Sequence, residues 1–154
     1  MENFRLNGLR WWFAELQLSG KRASKADIEL EPLMPFPVSE QRIVEAEQAL
    51  GRTLPRELRM RLMRNNGGEV ILEEDDWALH PVWDPTDRKT MGRTTSHVLA
   101  ETAEARSWAS FPPDGVSLAS DGSGDRLILR GNSDQIFLWE HETGGCVPVG
   151  TDWL

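Results

Sequence analysis

The stretch PVSEQRIVEAEQALGRTLPRELRMRLMRNNGGE, Pro37 to Glu69, decides the reading of the chain, because it holds two helices and their stops. Ser39 is placed to accept a backbone N–H at a helix start, and Glu40 in the first turn suits the helix dipole. Ile43, Ala46 and Leu50 recur at the spacing of one helix face, and Gly51 is a natural left-handed stop. Pro55 suits the first position of the next helix, where its missing N–H does no harm. Leu58 and Leu62 turn to a core, Arg56 and Arg64 to the opposite side, and Arg59 to a flank. Asn65-Asn66-Gly67-Gly68 ends this helix, since Asn and Gly tolerate left-handed backbone.

Toward the N-terminus, Leu6, Leu9, Phe13 and Leu16 recur at helical spacing beside Trp12, which predicts a helix within residues 1–20. A connector, 21–38, follows and carries Pro32, Pro35 and Pro37. Toward the C-terminus the pattern shortens to strands. Val70–Leu72 and Trp77–His80 are the first two, with Glu73-Glu74-Asp75-Asp76 between them as a turn or strand edge. Thr94–Ser107 predicts one inserted helix, capped by Thr or Ser, with Val98, Leu99, Thr102 and Ala105 facing inward. Val116–Ala119, Arg126–Arg130, Gln135–Trp139 and Cys146–Val149 then alternate with turns at 121–125, 131–134 and 143–145. These strands follow one another too closely for helical crossovers. The expectation is one α+β domain over 1–154: a helix pair at 39–66, then a twisted, mainly antiparallel sheet over 67–154 flanked by helices.

The chain has 154 residues, with 17 Lys and Arg against 25 Asp and Glu, a net charge of −8. Such an acidic chain lacks the footprint of a nucleic-acid binder. No run of about 18 apolar residues predicts a membrane span. No apolar stretch follows a basic N-terminus, so secretion is not expected. A lone cysteine, Cys146, fits a reducing compartment such as the cytoplasm. The charge is unevenly placed: residues 1–38 balance at 0, residues 39–66 carry +2, and residues 67–154 carry −10, from six basic and sixteen acidic groups. That concentration suits a cationic partner or simple solubility.

The familiar catalytic patterns fail on inspection. His141-Glu142 begins like H-E-x-x-H, but position 145 is Gly145 and the segment is a turn rather than a helix. Asp121-Gly122-Ser123-Gly124-Asp125 begins like a calcium loop, but Arg126 and Asn132 stand where Gly and Glu are needed. Ser123 precedes a strand, not the helix a nucleophile elbow requires. Cys146 sits in an apolar strand, and His80, His97 and His141 are scattered. The arginines of the second helix are interrupted by Glu57 and read as a solvated face. Seven Trp and no Tyr mark the chain, and core packing is the simpler role for Trp11, Trp12, Trp77, Trp83, Trp108 and Trp139. No catalytic residue, metal site or cofactor is expected.

Taken in order, Ser39-Glu40, Ile43, Leu50-Gly51, Leu54-Pro55 and Asn66-Gly67-Gly68 resemble the Smi/Knr-like branch of the SUKH superfamily. The later "WALHPVWD", "SDGSGDRLIL" and "IFLWEHETG", with the Gly124-Asp125 turn and Trp139 to Glu142, are also similar to it. The resemblance spans roughly residues 30–150. It implies an α+β fold and a non-enzymatic protein. Bacterial members are mostly immunity proteins that neutralise toxins exchanged between competing bacteria, often nucleases, as in polymorphic toxin systems. Fungal relatives regulate the cell wall through protein partners. The first expectation is therefore a cytoplasmic immunity protein whose partner is a basic toxin. Glu73, Glu74, Asp75, Asp76, Trp77, Asp125 and Glu140 are the candidate contacts. A regulatory interaction module without a toxin is the alternative, and a small enzyme with an unseen site is a third possibility. Oligomeric state is not legible.

Overall fold

A computed structural model describes residues 36–154. The N-terminal helix expected within 1–20, with Trp11 and Trp12, and most of the connector lie outside the described residues. Ser39 caps helix α1 (Glu40–Leu50), its hydroxyl accepting the Arg42 N–H at 3.4 Å. Gly51 ends it at φ 74°, with its own N–H bonded to the Glu47 and Gln48 carbonyls. Helix α2 (Arg56–Arg64) begins one residue later than the sequence suggests, with Pro55 at the cap position and contributing no side-chain bond. Ile43, Leu58 and Leu62 are fully buried between these helices and the sheet.

The Asn-Gly-Gly stop does more than end α2. Asn65 itself is extended, and the left-handed residues are Gly67 (φ 97°) and Gly68 (φ 82°). Asn66 is buried and bonds both ways to Val82, accepting its N–H at 2.8 Å and donating to its carbonyl at 2.9 Å. A Cβ on Gly67 would lie 3.3 Å from the Pro81 side chain. The motif thus ties the helix pair to the segment leaving strand β2.

Six strands follow: β1 (Glu69–Leu72), β2 (Asp75–Leu79), β3 (Val116–Ser120), β4 (Arg126–Leu129), β5 (Ile136–Trp139) and β6 (Cys146–Val149). They form one antiparallel sheet in chain order, confirming the α+β class. The insertion between β2 and β3 holds two helices rather than one. Helix α3 (Arg88–Arg93) is capped by Asp87, which accepts the Thr90 N–H at 2.8 Å. Helix α4 (Val98–Arg106) starts four residues later than expected. Thr94 does not cap it, because its buried hydroxyl donates to the Thr90 carbonyl at 3.0 Å and so closes α3. The cap of α4 is His97, whose Nδ1 accepts the Ala100 N–H at 3.3 Å.

The sheet is covered on both faces, which is why β4 is buried at every position. Leu127 and Leu129 belong to the main core with α1 and α2. Ile128 belongs to a second cluster with Ala105, Phe111 and Trp139, beneath α4. Trp139 stacks on Trp108 at 5.8 Å and meets Phe111 edge-on at 5.0 Å, the offset geometries aromatic rings prefer. Cys146 packs partly buried against this cluster, as a small apolar side chain would. Trp83 is the tryptophan least covered among the described residues, 36% exposed beside His97.

Candidate functional site

In a meander, successive connections alternate between the two ends of the sheet. The registers Ala78↔Ser120, Ser120↔Arg126, Arg126↔Trp139 and Trp139↔Cys146 run as one row across the strands. Beyond that row, at one end, project the β1–β2 turn, the loop 121–125 and the turn 140–145. These hold Glu73, Glu74, Asp121, Asp125, Glu140 and Glu142 and no lysine or arginine, and Asp75 and Asp76, the first residues of β2, stand at the same end. The fold therefore gathers six of the seven candidate residues at one end. It adds Asp121 and Glu142, which the sequence reading did not select.

Trp77 is the correction. Strand alternation puts Trp77 and Leu79 on the inward face of β2, opposite Asp76 and Ala78, and the Trp77 indole is 3% exposed within the main core. Its side chain is a core residue and not a surface contact.

The remaining carboxylates differ in freedom. Glu73 and Glu74 are exposed at the tip of a two-residue hairpin, with φ of 50° and 71°. Positive φ at both central positions defines a type I′ turn, which Asn and Gly occupy far more readily than Glu. Asp121 is held by Ser123, whose N–H and hydroxyl donate to it at 2.9 and 2.8 Å. Asp125 accepts the His141 N–H at 3.0 Å and meets its Nδ1 at 2.7 Å, joining two of the three loops. That bond to Asp125 holds the His141 pKa above the usual 6.5, against a smaller opposing effect of desolvation. Glu140 accepts from the Thr143 hydroxyl at 2.9 Å.

Beneath this end lies a buried polar group that the sequence reading did not select. Arg126, 5% exposed, donates through Nη1 to Glu101 at 2.9 Å and to the Ser117 hydroxyl at 3.0 Å. Its guanidinium lies 4.9 Å from the Trp108 ring centroid, within cation–π range. His80 Nε2 stands 3.0 Å from the same Ser117 hydroxyl and 3.5 Å from Arg126 Nη1. Facing a cation, this nitrogen carries the lone pair. Burial first and Arg126 second lower the His80 pKa to about 3, so the imidazole is neutral at pH 7. The one sequence signal was a charged residue opening an otherwise apolar strand, Arg126-Leu127-Ile128-Leu129. Every member of this group is bonded to another member inside the fold, as expected of a structural network.

Among the described residues, no three His, Cys, Asp or Glu side chains converge as metal ligands, and no helix is long and apolar enough to cross a membrane.

A helix pair closed by Asn-Gly-Gly, followed by a six-stranded meander with a helical insertion, defines an α+β domain whose exposed chemistry is acidic. The chain belongs to the SMI1/KNR4 family (SUKH-1), whose family model matches residues 37–153. No curated protein gives a significant match to the chain. Family membership is consistent with an immunity or regulatory role exerted through a protein partner.

Proposed function

We propose that the protein is a non-enzymatic, cytoplasmic immunity protein that binds and neutralises a cognate bacterial toxin with a basic, nuclease-type domain. The family supports the general class. The observation that carries the finer reading is the gathering of eight carboxylates and no Lys or Arg at one end of the sheet, six in three loops and two in the first residues of β2. A nuclease holds nucleic acid with a basic surface, and an acidic inhibitor that covers it blocks substrate and associates quickly.

The experiment is co-expression with the toxin domain encoded beside this gene. Charge reversal of Asp75 and Asp76 to Lys is expected to abolish protection and slow association at low salt. Unchanged protection and association rate refute the assignment. Absence of any toxin-like neighbouring gene favours the regulatory module instead.

A further inference from the structure

The arginines of α2 are of two kinds. Arg59 and Arg61 are engaged inside the fold. Arg59 meets Glu40 at 3.2 Å and Glu47 at 3.5 Å, and Arg61 donates to the Asn65 carbonyl and, at 3.0 Å, to the Gly67 carbonyl. Arg56 and Arg64 are exposed, and neither is bonded to another described residue. Arg56 stands in the first turn of the helix, where the dipole disfavours a cation. Arg64 stands near enough to Arg61 to help lower its pKa, after the larger effect of burial. No contact inside the fold accounts for either cation.

At about 100° per residue, Met60 falls opposite the midpoint of the buried Leu58 and Leu62. Arg56 and Met63 lie to one side of it and Arg64 to the other, all within about 60°. Glu57, the only acid of α2, borders this stripe on the side away from Met63. Met60 is 51% exposed and Met63 41%. The outward stripe therefore has an apolar centre between two unpaired cations, which stand about 12 Å apart along the axis. Methionine is a flexible, polarizable side chain over-used at surfaces that repack around partners.

We infer that the outer face of α2 is a docking surface for an acidic amphipathic helix of a partner protein. That helix lays leucine-type side chains on Met60 and Met63 and sets two carboxylates, eight residues apart, against Arg56 and Arg64. The spacing follows from rise, because two helices crossing at a shallow angle advance by the same about 1.5 Å per residue. Arginine suits this task, since its planar fork matches a carboxylate with two parallel N–H bonds. Nucleic acid is disfavoured as occupant, because its phosphates leave the apolar centre without a partner. A second copy of this chain is also disfavoured, because no helix among the described residues carries exposed acids eight residues apart. The surface is separate from the acidic loops and stands whether or not the partner is a toxin, so the co-expression result and the result below can fail separately.

The test uses the full chain with isotopically labelled methionine methyl groups. Its probe is a capped synthetic helix of about seventeen residues, built of alanine and glutamine, with two glutamates eight residues apart bracketing two leucines. At millimolar peptide the Met60 and Met63 methyl resonances are expected to shift, while that of Met91, exposed on α3, stays in place. Met60→Ser with Met63→Ser is expected to weaken binding about tenfold or more, since each change removes roughly half a side chain's worth of apolar burial. Arg56→Glu with Arg64→Glu is expected to weaken it about tenfold. A peptide with lysines in place of the glutamates should then bind that reversed variant about as well as the original pair bind, which a misfolded protein would not do. Unshifted Met60 and Met63 resonances, equal binding of a glutamine-for-glutamate peptide, unaltered binding after the methionine double substitution, no gain of the lysine peptide by the reversed variant, or tighter binding of a short DNA duplex than of the peptide would each overturn the inference.

Discussion

The hairpin tip at Glu73-Glu74 carries backbone strain, and relieving it should stabilise the protein while weakening its acidic end. Both residues have positive φ, 50° and 71°, without being Gly or Asn. Left-handed backbone costs a residue with a Cβ about 1–2 kcal/mol. Glycine at position 74 removes most of that cost but returns about 0.5–1 kcal/mol through the greater freedom of the unfolded chain. Asparagine at position 73 recovers a few tenths of a kcal/mol, because its short polar side chain tolerates this region. The double change Glu73→Asn with Glu74→Gly is therefore expected to add about 1 kcal/mol. Losing two charges from a run of four consecutive acids adds to it in the same direction.

For a chain of this length, that gain raises Tm by about 2–4 °C. Urea unfolding followed by tryptophan fluorescence measures it, because Trp77, Trp139 and Trp153 are buried and report the core. The midpoint should rise with an unchanged m value, since the surface exposed on unfolding is the same. The same variant should associate more slowly with a basic partner at low salt. A variant no more stable than the parent would refute the reasoning about strain. A gain in stability with no change in association would leave the turn strained for some reason other than binding.

Four further outcomes follow from the packing. Lowering the pH from 7 to 5 should cost about 2 kcal/mol through His80 alone: its folded pKa of about 3 lies below the unfolded 6.5, so its contribution is present above 6.5 and is lost as pH falls toward 3. Urea titrations of His80→Gln should show a flatter acid limb than the parent. His141 has the opposite sign: its pKa is raised by Asp125, so its contribution is present below 6.5 and fades as pH rises through the folded value. Imidazole NMR should show that raised titration, and Asp125→Asn should return it toward 6.5. Glu101→Ala leaves the buried Arg126 without its carboxylate and should cost about 3 kcal/mol in denaturant unfolding. Gly67→Ala forces a Cβ into left-handed backbone 3.3 Å from Pro81 and should cost about 1–3 kcal/mol by the same assay.

Local signals carried much of the fold. Ser39, Gly51 and the leucines of α2 act through contacts within a few residues, so the sequence alone was enough to place both helices. Five of the six strands fell within one residue of their observed ends for the same reason, since their alternation and turn residues are adjacent in the chain. The misses were decided by distant contacts. Thr94 looked like a helix start, yet in the fold its hydroxyl closes the preceding helix and contacts the backbone of Asp84. Trp77 carried two readings, core residue and partner contact, and its place with Leu79 on the inward face of β2 decides for the core. Arg126 looked like a strand residue of no note, and its role depends on Glu101, Ser117 and His80, which lie 25, 9 and 46 residues away.

The acidic surface shows how local and non-local information combine. A charge of −10 over residues 67–154 says nothing about where the acids meet. Strands of four or five residues joined in chain order settle it, because the first, third and fifth connections must lie at the same end. Those three connections, with the first two residues of β2, hold eight acids and no Lys or Arg, whereas the β4–β5 connection at the other end holds Arg130 and Asp134 and is further engaged by Arg52. The two ends of one sheet therefore present different fields, although the chain alternates between them. If that asymmetry serves a basic partner, moving acids from the first set of connections to the β4–β5 turn should slow association at constant net charge. A matching rate would mean that only the total charge matters, as the solubility reading requires.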